Sequence, residues 1–227
     1  GKDQQNKAGK YQETSGFMGE PAGSTTLWAD GKNLQAVSAS IPGAYNIADY
    51  RRTDAVVNAG DNFYILDIFN VRGGKNHARM TYTLPGDLKM TGVNPNKSAG
   101  YGNGALLRNF MTDSLAAPGW TADWTIKYKT GLSRENGPVH LRRTDLTENA
   151  SVSSAEAWIT EGIRSATGEW IPSLLVQRTG SDSLLSSVFV SIIEPYISRP
   201  FINNIRRINT DNEAIAIELT FTDGNRD

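Results

Sequence analysis

The densest run of chemistry in the chain is Phe63–His77, FYILDIFNVRGGKNH, in which an apolar, β-prone run carries Asp67 at its centre and ends in Gly73-Gly74 and His77. A carboxylate inside such a run must be satisfied by a cation or an amide once it is buried. Arg72 and the pair Arg51-Arg52 on a neighbouring strand are the candidates. From the residues alone, Asp67 reads as half of a structural ion pair inside a sandwich. His77 and His140 are the only histidines, too few for a three-histidine metal site, and no carboxylate cluster adjoins either in sequence. Each therefore reads as a hydrogen-bonded structural histidine. The chain has no GxSxG elbow, HExxH, P-loop or GxGxxG opening a helix. The glycines of Gly100–Gly104 lie among turn residues and are not a phosphate cradle. No cysteine is present, which excludes disulfides, thiolate metal sites and thiol catalysis.

Composition narrows the partners. Lys plus Arg number 23 and Asp plus Glu 24, so the net charge of −1 supplies no field for nucleic acid or an anionic membrane. Any polyanion must be bound locally. No apolar run is long enough to span a bilayer. The five tryptophans, Trp28, Trp120, Trp124, Trp158 and Trp170, invite a sugar-stacking role, but they are scattered and core packing accounts for most of them.

The elements that must position these residues are strands. Residues 1–24 lack periodicity and read as an irregular arm, and residues 25–227 read as a β-sandwich region with a smaller C-terminal β unit at about 170–227. Short β-prone runs alternate with turn signals, placing strands near Thr25–Ala29, Leu34–Ile41, Tyr50–Asn58, Phe63–Val71, Ala78–Thr83, Ala105–Met111 and Thr121–Lys129. Further strands are expected near Pro138–Leu146, Val152–Thr160, Leu174–Gln177, Leu184–Glu194, Ile202–Ile208 and Ala214–Phe221. In the last of these, Ile215, Ile217, Leu219 and Phe221 share a face that should be core. Ser153–Arg164 also approximates helical spacing, but Gly162 and the Trp-Ile-Thr run favour a strand. Asn94–Gly104 is turn residues throughout and reads as a long exposed loop. The fold class is all-β: packed antiparallel sheets with little helix.

Three segments in order carry a resemblance: Tyr50-Arg51-Arg52-Thr53, the Phe63–His77 run, and Phe189–Tyr196 ending in Glu194-Pro195-Tyr196, followed by Pro200-Phe201-Ile202. Over about residues 45 to 210 the chain resembles the C-terminal β region of heparinase II/III-like polysaccharide lyases. The resemblance implies a β-sandwich that packs on an N-terminal α/α toroid of the same full-length chain, in a bacterial periplasmic or secreted enzyme acting on an acidic polysaccharide. The chemistry implied is β-elimination next to a uronate carboxylate. The family's catalytic Tyr and His lie largely on the toroid, and its structural metal ligands precede the region seen here. The sequence contains neither the toroid nor the family's His-Asn-Thr strand, so it reads as a C-terminal portion without catalytic residues, metal ligands or a cofactor of its own. A structural metal is implied only for the full-length protein.

Asp67, Gly73, Gly74, Glu194 and Pro195 carry over as structural motif residues, and His77 as the candidate substrate contact. The family's second His after Gly-Gly-x-x-His is missing, since Ala78-Arg79-Met80-Thr81-Tyr82 follows. The bland alternative for His77 is a hydrogen bond to a backbone carbonyl at the Gly-Gly turn. Two other classes remain open for the whole chain, a stand-alone carbohydrate-binding module and a non-catalytic structural domain.

Overall fold

A computed structural model describes residues 23–41, 47–101, 106–127, 137–160, 167–208 and 215–227. Most of the arm expected at 1–24, and residues 161–164 of the Ser153–Arg164 segment, lie outside them. The strands are β1 (Ser24–Asp30), β2 (Leu34–Ser40), β3 (Asp49–Ala59), β4 (Asn62–Arg72), β5 (Asn76–Tyr82), β6 (Gly86–Thr91), β7 (Asn96–Lys97) and β8 (Leu107–Ala116). They continue with β9 (Trp120–Ile126), β10 (Val139–Asp145), β11 (Ala150–Thr160), β12 (Gly168–Thr179), β13 (Ser186–Ile197), β14 (Ile202–Ile208) and β15 (Ala216–Phe221). No helix occurs among the described residues, and Ser153–Thr160 is strand.

An eight-stranded sheet, ordered β1-β2-β3-β4-β13-β10-β9-β6, faces a five-stranded sheet ordered β5-β12-β11-β8-β7. All pairings between these strands are antiparallel. Phe69, Val71, Trp120, Ala122, Trp124 and Phe189 from the large sheet meet Ala116, Val152, Leu174 and Val176 from the small one. The even spacing of Trp120 and Trp124 puts both rings into this core, as the alternation of a strand requires.

The hairpin β14–β15 covers the other face of the large sheet, where Ile202 and Leu219 pack on Tyr64 and Ile192, with Ile217 and Phe221 beside them. This is why β4 reads as a nearly continuous apolar run. Its Phe69 and Val71 face the small sheet and its Tyr64 and Leu66 face the hairpin, so both faces contribute to a core.

Two strands were not anticipated. β6 follows the Pro85-Gly86 turn with only Leu88 and Met90 as its inward pair, and β7 is two residues long inside the expected loop, pairing Asn96 with Thr112 and Lys97 with Met111. Within the stretch 170–227, β12 and β13 belong to the two large sheets, and β14 and β15 alone form a sheet of their own.

Candidate functional site

The register lines up polar residues between the sheets. Asp54 of β3 pairs with Asp67 of β4, Asp67 with Ser191 of β13, and Ser191 with Asp145 of β10, so three carboxylates stand in one row across the inner face of the large sheet. Guanidiniums answer them. Arg52 donates to Asp67 through Nε at 3.2 Å and Nη2 at 2.9 Å, and its Nε also lies 3.2 Å from Asp54. Arg79 reaches Asp67 from β5 in the facing sheet, and Arg143 Nη2 lies 2.5 Å from Asp145 Oδ2. Asp67 and Asp145 are both 0% exposed. Burial, with Arg143 and Arg52 close by, lowers the Arg79 guanidinium from its ordinary value, against the charges of Asp145 and Asp54, which raise it. The three cations balance the three carboxylates.

The inward residues of β5 are all polar and each crosses the sandwich. Arg79 pairs with Asp67, Thr81 Oγ1 accepts from Arg143 Nη1 at 2.8 Å, and His77 Nδ1 lies 2.8 Å from Ser187 Oγ. His77 is buried, and its Nε2 donates to the Gly73 carbonyl at 2.6 Å, so Nδ1 accepts from the Ser187 hydroxyl. Burial lowers the His77 pKa and Arg178 adds to this, against the Gly73 bond, which raises it. Gly73 and Gly74, at φ of 109° and 82°, make the reversal that brings His77 back over Gly73. Their amides donate to the Leu185 and Ser183 carbonyls, both at 2.8 Å. A Cβ on Gly73 would press on the backbone of Ile47 and Ala48.

Glu194 is buried and ties β13 to the start of β14. It accepts from the Phe201 amide at 2.6 Å, the Ile202 amide at 2.8 Å and Arg142 Nε at 2.7 Å, and Arg142 Nη2 donates onward to the Ile202 carbonyl at 2.6 Å. Pro195 follows the last β4 partner of β13, Ile193 paired with Ile65, so its missing N–H falls where the ladder to β4 has ended.

A partly buried cluster lies beyond this clamp on the outer face. His140 of β10 stacks on Tyr196 of β13, centroids 4.7 Å apart and planes 14° apart. Both bond Asp123 of β9: His140 Nδ1 at 3.0 Å from Oδ1, and the Tyr196 hydroxyl to Oδ2. Burial first, then the bond to Asp123 and its charge, push the Tyr196 phenol pKa up. With Nδ1–H held by the carboxylate, the neutral His140 ring carries its lone pair on Nε2, on the far side of the ring. That arrangement can accept a hydrogen bond from a ligand hydroxyl or take a proton from it. Lys89 of β6 stands opposite Asp123 in the register and is exposed.

Of the residues singled out in sequence, Asp67 joins the buried ionic layer and His77 ties β5 to β13, while Glu194 holds the turn into β14. His140, read as structural, belongs to the outer cluster with Asp123 and Tyr196. No local spacing could have joined those three, because they come from strands that meet only through the sheet register. Among the described residues no group of three or more His, Cys, Asp or Glu is placed to hold a metal ion.

The chain is an antiparallel β-sandwich whose two sheets are bridged by ionic and imidazole contacts along one edge strand. Its fold is that of the β region of heparinase III structures. Heparan sulfate lyase HepC from Pedobacter heparinus matches with a TM-score of 0.56 and 16% identity, and a mutant of it with 0.54 and 14%. A heparinase III with methylated lysines matches with 0.54 and 12%. Each match covers 92% of this chain and 27% of the other, so the chain spans about a quarter of the length of these structures. No family profile and no curated protein matches the sequence.

Proposed function

We propose that this chain is the β portion of a larger bacterial polysaccharide lyase, periplasmic or secreted, that cleaves an acidic, uronate-containing glycan by β-elimination. In this reading the eliminating residues lie outside this chain, on an α/α toroid of the full-length polypeptide, together with any structural metal. The observation that carries it is the match in fold over 92% of this chain to lyases in which it accounts for 27% of the length. The contribution of this chain is then to support the catalytic domain and to touch the glycan. His77 is too enclosed for that contact, with both ring nitrogens bonded inside the sandwich. The Asp123–His140–Tyr196 cluster suits it better, offering a fixed Nε2 acceptor on an open face with Lys89 nearby for a carboxylate or sulfate.

The test is to incubate the 227-residue chain with heparan-type, alginate-type and other uronate glycans, following unsaturated uronate product and, separately, binding. The expected result is no product, with any measurable binding weakened by His140→Ala. Product from the chain alone would sink the assignment of catalysis to another domain. Binding unchanged in His140→Ala would remove the outer cluster from the glycan path.

A further inference from the structure

Around Ala116, Ala150, Val152, Leu174 and Val176 the inner face of the small sheet is core. Toward the other end of β8, β11 and β12 the same face carries Arg108, Glu156, Trp158 and Trp170, none of which belongs to that core. Trp158 and Trp170 are a cross-strand pair, with ring centroids 5.4 Å apart and planes at 60°. The Arg108 guanidinium lies over the Trp170 ring, its carbon 4.0 Å from the centroid. Gly168, one step along the ladder, leaves room for the Trp158 ring, since a Cβ there would come within 2.7 Å of it.

Glu156 steers the guanidinium. Its Oε2 accepts from Arg108 Nε at 2.6 Å and from Asn109 Nδ2 at 2.8 Å. Successive residues of a strand point to opposite faces, so two neighbours reach one carboxylate here only through the bulge between Ser154 and Glu156, where Asn109 takes a φ of 56°. The carboxylate engages Nε alone. Neither Nη group of Arg108 makes a hydrogen bond among the described residues, and the side chain is 49% exposed. Neither indole N–H of the pair is bonded there, and neither is sealed from solvent as the orphaned Trp124 Nε1 is. A guanidinium stacked on an indole, held through Nε and open along its Nη edge, is preorganised for an oxyanion.

We infer that Arg108, Trp158 and Trp170 form a saccharide site of their own, in which the Nη edge of Arg108 takes the carboxylate or sulfate ester of an acidic sugar and the indoles take its apolar C–H face. An inorganic ion would leave the indoles unused. A phosphate-dense polyanion gains no field here, because Glu156 cancels the charge of Arg108. A sugar uses both charges, since its hydroxyls can donate to Glu156 Oε1, which accepts neither the Arg108 nor the Asn109 bond. A nucleobase would need a flat ring to stack on, and Arg108 already lies over that of Trp170. The site is on the small sheet, apart from the Asp123–His140–Tyr196 cluster on the outer face of the large one. It goes beyond the reading of the chain as part of a lyase and rests on the geometry of this face alone.

The experiment follows the indole N–H resonances of the isotope-labelled 227-residue chain, assigned by single Trp→Phe exchanges, during titration. The probes are an alginate-type trisaccharide with carboxylates alone, a carrageenan-type one with sulfates alone, neutral cellotriose, and inorganic sulfate. The Trp158 and Trp170 signals should shift and saturate with at least one acidic trisaccharide, which names the anion, while those of the buried Trp120 and Trp124 stay in place. Arg108→Lys keeps the charge and loses the fork, so affinity read at the two signals should fall about tenfold or more with the melting temperature unchanged. If that variant does not fold, the probe comparison in the parent chain decides by itself. No shift at about 10 mM acidic trisaccharide would overturn the inference. So would an equal response to cellotriose, an equal affinity for inorganic sulfate, or an unaltered affinity in folded Arg108→Lys. None of these outcomes touches the lyase reading, which product formation by the full-length polypeptide decides.

Discussion

Without the Asp67 carboxylate, Arg79 would lose its direct partner between the two sheets, leaving Asp54 and Asp145 to balance three guanidiniums. Asp67→Ala should therefore cost about 2 to 4 kcal/mol, read as a shift in the denaturant midpoint at constant slope. A shift below about 0.5 kcal/mol would mean that the layer relaxes around the loss. His77 adds a dependence on pH. Burial favours its neutral ring, so the folded chain binds the His77 proton less tightly than an unfolded one with the ordinary value of 6.5. Above about pH 6.5 both states are neutral and its contribution is complete; as pH falls below that, the unfolded state takes up the proton first and stability declines until the lowered folded pKa is passed. His77→Gln should lose this part of the acid destabilisation, so the gap between variant and parent narrows from pH 7.5 to pH 5 in paired unfolding curves. The Arg52 partner of Asp67 was legible in the sequence because it lies on the adjacent strand. Arg79 was not, because it arrives from the opposite sheet, and no spacing along the chain encodes which residues of two sheets face each other.

Glu194 acts between elements. Its carboxylate takes the Phe201 and Ile202 amides that would otherwise open β14, so the hairpin is held to β13 by side-chain acceptance as well as by the apolar cluster beneath it. Glu194→Gln keeps the shape but halves the acceptor capacity and removes the charge facing Arg142. Amide exchange at Phe201 and Ile202 should accelerate by at least about tenfold while β4 amides keep their protection, a pattern that residue-resolved exchange would detect. Unchanged exchange at both positions would transfer the clamp to the apolar contacts. At this scale β15 was readable from its period of two, and β4 and β13 from their apolar runs, because burial of one face leaves alternation while burial of both leaves a run. β6 was hidden, since an edge strand with one inward pair writes too little of that period. β7 was hidden because turn residues can pair briefly when a neighbouring strand offers its edge.

The whole molecule depends on one late strand. β13 sits between β4 and β10 and so joins the β1-β2-β3-β4 half of the large sheet to the β10-β9-β6 half. A chain ended after Thr160 loses β12 and β13 together, leaving two half-sheets with exposed inner faces, and should show no cooperative thermal transition. A chain ended after Ser198 keeps both large sheets and loses only β14 and β15, so it should still melt cooperatively, at a lower temperature because Tyr64 and Ile192 are uncovered. A cooperative melt of the shorter form, followed by circular dichroism, would show that the halves are independent. The same strand sets an order in time. As the polypeptide leaves the ribosome, β4 must wait for more than a hundred residues before its neighbour is made, with Phe69 and Val71 on one face and Tyr64 on the other still open to water. The nascent chain remains a sticky, unclosed ribbon until β13, and for the Tyr64 face β14 and β15, have emerged, so its yield in a cell depends on whatever shields those faces during that interval.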